Sequence, residues 1–385
     1  MQDDTTLTHA GLAPFDNHGI VNPPVYHAST VLFPDLDTLE GKVPVKVSYG
    51  RQGTPTTFAL EEALTALEGG FGTVLAPSGL AAVSMTLLAC ASAGDHILVT
   101  DSVYGPTRKF CDRVLSRYGV TTEYYDPLIG GHITGLLRSN TALVFLESPG
   151  SQTFEIQDVP ALAKAAHSGG ARVIMDNTWG AGYFFKALQH GVDIAIHAGT
   201  KYIAGHADVM LGAIVGNKAG IEQVRRFATL NGNSVGPDDV YLALRGLRTL
   251  GVRLQRHQDS ALKIARWLQT RPEVRRVIYP ALEDDPGHQL WRRDFTGAAG
   301  LFAFVLNSRD RQALAAMLEG MRYFGMGYSW GGFESLLIPT YPERSRTVTP
   351  WRSDGQILRI HVGLEAPDDL LADLSDGFNR LNAIG

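Results

Sequence analysis

Residues 173–208, VIMDNTWGAGYFFKALQHGVDIAIHAGTKYIAGHAD, hold two short apolar runs with polar exits. Val173-Ile174-Met175 ends in Asp176, and Val192 to Ile196 leads into Thr200-Lys201-Tyr202 and then Gly205-His206. Short apolar runs with Gly-rich exits read as buried parallel strands, whose C-terminal ends carry functional groups. Two neighbouring strand ends then present a carboxylate and an amine to one crevice. A pyridoxal phosphate enzyme needs that pair: a lysine to form a Schiff base and an acid to keep the pyridinium nitrogen protonated. The same residues also fit a surface lysine and a capping aspartate, because a single motif match carries a false-positive risk.

Outward from this stretch the chain alternates helix and strand. Strands are expected near 73–75, 96–100, 121–125, 142–146, 171–175, 192–196 and 209–215. Helices are expected at 78–91, 106–118, 158–167 and 182–190, with an earlier one opening at Thr56. Repeated βα units of this length predict a mostly parallel sheet covered by helices, with ligands at the carboxyl ends of the strands. Beyond Leu247 the pattern becomes α+β. One long helix is expected from Pro237 to about Gln269, then strands near 274–279, 300–306 and 357–362 and helices at 309–320 and 367–382. Residues 1–53 have little apolar periodicity, and Asn22-Pro23-Pro24 and Phe33-Pro34 disfavour helix. They read as an extended arm that packs on something else. The expected division is an arm (1–53), an α/β cofactor domain (54–247) and a C-terminal α+β domain (248–385).

Composition narrows the function classes. A chain of 385 residues with 44% hydrophobic and 19% charged residues and 42 glycines is globular and enzyme-like. Its net charge of −5, without a basic cluster, argues against a nucleic-acid partner. Two cysteines, Cys90 and Cys111, imply no disulfide framework and fit a reducing compartment. No signal-like segment opens the chain. The uncharged stretch from Gly69 to Gly94 is broken by Gly and Pro and leaves too short an apolar part to cross a bilayer. No membrane association and a cytoplasmic location are expected. The histidines show no metal-ligand spacing, and Walker A, GxGxxG and Gly-x-Ser-x-Gly patterns are absent.

Other segments supply groups for the same crevice. Ala76-Pro77-Ser78-Gly79-Leu80 joins a strand to a helix, where free N–H groups suit a phosphate; a plain Ser78 N-cap is the alternative. Tyr104, after another strand, can stack on a planar cofactor or simply edge a turn. Tyr49 and Arg51 can reach one phosphate together. Arg359, on the apolar strand 357–362, calls for an anion, either a substrate carboxylate or a structural acid.

In chain order the segments VNPPVY, YGRQGTPT, APSGLAAV, DSVYGPT, VIMDNTW, GTKYIAGHADVMLG, PDDVYLALRGLRTLGVRL and LRIHVGLE resemble the Cys/Met-metabolism family of fold type I pyridoxal phosphate enzymes. The resemblance covers nearly the whole chain. It implies that family's α/β transferase-like fold, a mostly parallel seven-stranded sheet with a C-terminal α+β domain. Residues 147–155, ESPGSQTFE, and 328–335, YSWGGFES, resemble the bacterial cystathionine β-lyase branch, whose γ-acting relatives carry an SPTNP-like segment and a shorter, Trp-less loop.

The resemblance implies roles for particular residues. Lys201 matches the Schiff-base lysine, Asp176 the partner of the pyridine nitrogen and Tyr104 the stacking ring. Ser78, Gly79, Leu80 and Thr200 match the phosphate cradle. Tyr49 and Arg51 match a pair that reaches the cofactor of a neighbouring subunit, in an assembly built as a dimer of dimers. Arg359 matches the anchor of the substrate carboxylate, with Ser329 and Trp330 beside it. The implied cofactor is pyridoxal 5'-phosphate, the implied metal none. The implied reaction is β-elimination from L-cystathionine to homocysteine, pyruvate and ammonia, in methionine biosynthesis. Cysteine or cystine desulfhydration, a γ-lyase or a γ-synthase are the rivals on the same machinery; a regulatory protein that has lost its cofactor is a rival of another class. One position departs from the family: Ala198 stands where a hydroxyl usually meets the phosphate, a hydrogen bond of about 1.5–3 kcal/mol. His197 is expected to point away from that side, by strand alternation.

Overall fold

A computed structural model of the chain describes residues 1–352 and 355–384. Its centre is a seven-stranded sheet of β1 (Gly72–Ala76), β2 (His96–Thr100), β3 (Thr121–Tyr125), β4 (Thr141–Glu147), β5 (Arg172–Asp176), β6 (Ile194–Ala198) and β7 (Gly212–Gly216). The order across the sheet is β1-β7-β6-β5-β4-β2-β3. Strands β3, β2, β4, β5 and β6 run parallel; β7 is antiparallel to both of its neighbours. The inner strands are mainly apolar because helices cover both faces, and residues such as Leu98, Val99, Phe145 and Ile174 are wholly buried, whereas the edge strand β3, TTEYY, is largely polar and partly exposed.

The α/β architecture anticipated from the alternating pattern is present, with β2 and β3 at the expected bounds and the other strands of the sheet displaced by one to three residues. The displacement of β6 matters most, since it puts Ala198 at the strand's end. A second sheet follows, fully antiparallel, from β8 (Val274–Ile278), β9 (Leu301–Leu306), β10 (Leu336–Thr340) and β11 (Ile357–His361) in the order β10-β11-β9-β8. Strand β10 was not anticipated: Pro339 within LLIPT argues against a strand, and the structure tolerates it at the sheet's edge.

Three local expectations fail, each for a visible reason. The single helix expected from Pro237 to Gln269 is two, Pro237–Leu247 and Leu250–Gln269. The carbonyl of Gly246 accepts from Thr249 N–H and from Arg253 Nη2, so it is not available to continue the helix. No α-helix spans 182–190; only a 3-10 turn forms at Ala187–His190. Ala181 and Gly182 adopt left-handed φ values of 55° and 64°, which end regular helix there. The arm is not extended at its start. Asp3–His9 is a short helix with Thr6 and Leu7 buried, tied down by Lys186 Nζ to Asp3 at 2.9 Å, Tyr183 OH to Asp4 at 2.8 Å and Arg248 to the Leu7 and Ala10 carbonyls. Much of the rest of the arm is exposed, apolar side chains included: Phe15 and Leu32 are 93% and 88% exposed.

Candidate active site

The carboxyl ends of β4, β5 and β6 open on a cleft of about 450 Å³ between the central sheet and the β11 region, within the size range of small-molecule sites. Register dictates its floor. Glu147 and Asp176 are directly paired at the ends of β4 and β5, and Lys201 follows β6 after a two-residue turn. The pair singled out in 173–208 is thus brought together by parallel pairing.

Asp176 is anchored on one oxygen only. Its Oδ1 accepts Thr178 N–H at 3.0 Å and Thr178 Oγ1–H at 2.5 Å, and Thr178 Oγ1 in turn accepts Ala198 N–H at 2.9 Å. Burial pushes the carboxyl up, and it makes no ion pair among the described residues. A buried carboxylate aimed into a cleft with one oxygen held is short of a positive charge. A protonated ring nitrogen supplies it.

Lys201 Nζ donates to Ser329 Oγ at 2.5 Å and lies 5.2 Å from the Trp330 ring centroid. Burial, then the Arg359 charge, draws its amine down to about 8, with Asp176 opposing. Arg359, on β11, donates from Nη2 to the Ser329 carbonyl at 3.0 Å and has no acidic partner among the described residues. Burial disfavours its charge, so an incoming carboxylate has a waiting partner. Among the described residues, the structural salt bridge considered for Arg359 is therefore not formed.

Tyr104 lines the cleft, and its backbone N–H is held by Glu147 Oε2 at 2.7 Å. Burial, then Asp176 alongside, raises the Glu147 carboxyl well above its usual value. Ser78 Oγ caps the helix Gly79–Cys90 by accepting Ala81 N–H at 3.1 Å; its hydroxyl proton stays available. Gly79 and Leu80 occupy the first turn, where N–H groups have no helical acceptor. A Cβ on Gly79 would lie 2.5 Å from Ala198 Cβ, so glycine is needed for the helix start to approach β6. Thr200 also faces the cleft, but its hydroxyl already exchanges hydrogen bonds with the Leu211 backbone at 3.0 and 3.2 Å.

His197 is buried and turned away, 3.1 Å from Glu68 Oε2, and does not replace the hydroxyl missing at Ala198. Tyr49 and Arg51 are not in this cleft. Arg51 bonds the Thr229 carbonyl at 3.1 Å and lines a separate hollow beside Arg225 and Asn233. Their own chain does not bring them to Lys201.

Sequence reading missed Thr178 and Glu147 as parts of the site. Thr178 sits two residues after Asp176, the spacing of a local side-chain turn, so the signal existed. Glu147 had none, because its contact to Tyr104 spans 43 residues.

A pyridoxal cofactor fits these groups. A carboxylate with one oxygen left unpaired, a desolvated lysine and a helix start with open N–H groups match a planar cationic ring, an aldehyde and a phosphate.

Comparison with known proteins agrees. The family described as Cys/Met metabolism PLP-dependent enzyme matches residues 4–379. The cystathionine β-lyase of Salmonella typhimurium is 47% identical over 99% of this chain and 99% of its own. That of Escherichia coli is 46% identical over 98% of each. Among solved structures, the cystathionine γ-synthase of Xanthomonas oryzae pv. oryzae, solved with aminoacrylate and cysteine, superposes with a TM-score of 0.92 at 31% identity, covering 100% of this chain and 99% of that one.

Proposed function

The chain belongs to the Cys/Met metabolism PLP-dependent enzyme family, and on that footing we propose that it is a carbon–sulfur β-lyase acting on L-cystathionine. The observation that carries the chemistry is the trio of a desolvated Lys201 amine, a half-anchored Asp176 carboxylate and an acid-free Arg359 around one cleft.

Pyridoxal 5'-phosphate, when bound, supplies a carbonyl carbon for amine exchange and a conjugated cationic ring that accepts electron density from the substrate Cα. Everything else falls to the chain. Asp176 holds the ring nitrogen's proton, with Thr178 keeping the carboxylate in line. Ser78 Oγ and the Gly79 and Leu80 N–H groups would hold the phosphate, with Thr200 nearby in the cleft lining. Arg359 binds the substrate α-carboxylate and so orients the Cα–H bond. Lys201 Nζ, drawn down to about 8 and so about half uncharged at that pH, removes that proton, and the Cβ–S bond breaks to release homocysteine. Water completes the balance: cystathionine plus water gives homocysteine, pyruvate and ammonia. Tyr104, whose N–H is held by Glu147, would offer its ring to the cofactor and limit solvent access.

The arm points to an assembly. Apolar side chains such as Phe15, Leu32, Leu36 and Leu39 are exposed, and Tyr49 and Arg51 lie outside their own chain's cleft. A second copy of the chain that took up this arm would receive both residues. We assign residues 1–53 to that role, 54–247 to the cofactor domain and 248–385 to the substrate-side domain, in a cytoplasmic homotetramer built as a dimer of dimers. Among the described residues no helix is long and apolar enough to cross a membrane.

Purified enzyme incubated with cystathionine decides the reaction: pyruvate marks β-elimination, and 2-oxobutyrate in its place would overturn it in favour of a γ-lyase. Lys201→Ala that turns over substrate at the wild-type rate would overturn the assignment of the base.

A further inference from the structure

We propose that His361 is a positioning residue for this site: by accepting the Gly331 N–H it holds the loop of Ser329 to Gly332 in the one conformation that sets Trp330 and Ser329 against Lys201 and Arg359. The inference rests on reading the cleft as the β-elimination site.

The loop cannot hold itself. Ser329 has φ of 78° and Gly331 φ of 87°, both left-handed, and a serine there is strained. Such conformations persist only where surrounding groups over-determine them. Three outside contacts do so. Arg359 Nη2 donates to the Ser329 carbonyl at 3.0 Å, His361 Nε2 accepts the Gly331 N–H at 3.1 Å, and the loop's underside rests on the Lys201–Tyr202 backbone. A Cβ at Gly331 would lie 2.9 Å from Lys201 C and Tyr202 N, so no side chain is admitted there. Farther along, Glu365 accepts Ser335 N–H and Oγ–H at 2.8 Å, which pins the other end.

His361 and Arg359 alternate with Ile360 on β11, so both point to the same face. One carries the charge for the substrate carboxylate; the other fixes the loop that shares that charge. The Gly331 N–H can only donate, so we assign Nε2 as its acceptor, which puts the ring proton on Nδ1, an atom with no hydrogen-bond partner among the described residues. Gly332 O, also 3.1 Å from Nε2, finds no proton there. The side chain is almost wholly buried, with Tyr202 and His257 rings around it at 6.0 and 5.2 Å. Burial, then His257 alongside, pushes the imidazole well below its usual value, so the ring stays neutral at working pH, as an accepting Nε2 requires.

The test compares His361→Leu, which removes the acceptor, with His361→Gln, whose amide oxygen can reach the Gly331 N–H. Holoenzymes are matched for cofactor content and melting temperature. The readouts are KM and kcat for cystathionine and the affinity for glycine, an α-amino acid without a leaving group. The leucine variant is expected to raise KM and weaken glycine binding by about ten-fold or more, with a smaller change in kcat, and the glutamine variant to stay within about three-fold of wild type. Wild-type glycine affinity and KM in the leucine variant overturn the proposal. So does a glutamine variant as impaired as the leucine one, since the acceptor would then not be what matters. Should the leucine variant fail to fold, His361→Met replaces it with the same outcomes. Failure of the β-lyase reading shows separately, as wild-type enzyme that yields no pyruvate, while the glycine comparison still reads the loop.

Discussion

Lys201 Nζ meets Ser329 Oγ at 2.5 Å across 128 residues of chain, with Ser329 itself held in a left-handed conformation by Arg359. The lysine that would act as base is therefore positioned by the same loop residue whose carbonyl engages the carboxylate anchor. Ser329→Ala removes the hydroxyl and leaves the carbonyl contact. A lost hydrogen bond of about 1–2 kcal/mol predicts a fall in kcat/KM of about 5- to 30-fold, checked by steady-state kinetics on cystathionine.

Among the described residues Arg359 has no acid to neutralise it, so its replacement should cost substrate binding rather than folding. Arg359→Leu is expected to lower kcat/KM by about 10- to 150-fold, the equivalent of a charged hydrogen bond of about 1.5–3 kcal/mol, with cofactor content unchanged. Burial first, and then the Arg359 charge, hold the Lys201 amine below its ordinary value. Removing that charge raises the amine's pKa, so the pH at which apoprotein captures cofactor half-maximally moves up from about 8. A downward or absent shift in a stopped-flow pH series contradicts the electrostatic account.

Ala198 leaves the phosphate cradle one hydroxyl short, and His197 is committed to Glu68. Ala198→Ser should tighten cofactor binding by about five-fold, or about 1 kcal/mol, in a titration of apoprotein. Weaker binding would mean that the close approach of Gly79 leaves no room for the added oxygen.

Asp101 is a buried latch between the Tyr104 loop and the segment 347–349. It accepts the N–H groups of Thr347, Val348 and Thr349 at 3.0–3.1 Å and Arg108 Nη2 at 2.6 Å. Burial opposes its charge, yet the Thr349, Thr347 and Val348 N–H groups and Arg108 hold the carboxyl at about 2. Because the folded value lies below the unfolded one, the stabilisation is complete above about pH 4 and disappears as pH falls through about 2. Asp101→Asn should lower the urea midpoint at pH 7 and flatten its decline between pH 4 and pH 2. Denaturation curves across that range decide it.

Arg51 and Lys201 belong to different chains of one site in the proposed assembly. Arg51→Ala and Lys201→Ala should each be nearly inactive alone. Refolded together, they should regain up to about a quarter of wild-type activity, through sites that receive both intact residues. No recovery from the mixture would place Arg51 outside the neighbouring site.

Local signals in the chain were enough for the central architecture. Apolar runs of four to seven residues between helical stretches predict a parallel sheet whatever the partners, because a strand covered on both faces must be apolar along its whole length. Asp176, Lys201, Gly79 and Tyr104 stand at strand exits, so their convergence followed from topology alone. The helix break at Arg248–Thr249 was not legible, since it depends on Arg253 reaching back to the Gly246 carbonyl. Nor was β10, which forms only because β11 offers it an edge.

What the amino-acid sequence determined by itself is the sheet, the family and the identity of the acid and the amine. Periodicity and strand-end chemistry are local, and local patterns survive without coordinates. What only the tertiary structure decided is how these groups are supported. Thr178 anchors Asp176, Glu147 holds Tyr104, and His361 and Arg359 brace the Ser329–Trp330 loop against Lys201. Apart from the local Thr178 turn, these contacts join residues about 30 to 128 positions apart. Hydrogen bonds demand atoms within about 3 Å, and no spacing in the chain encodes which distant atoms the fold will bring that close.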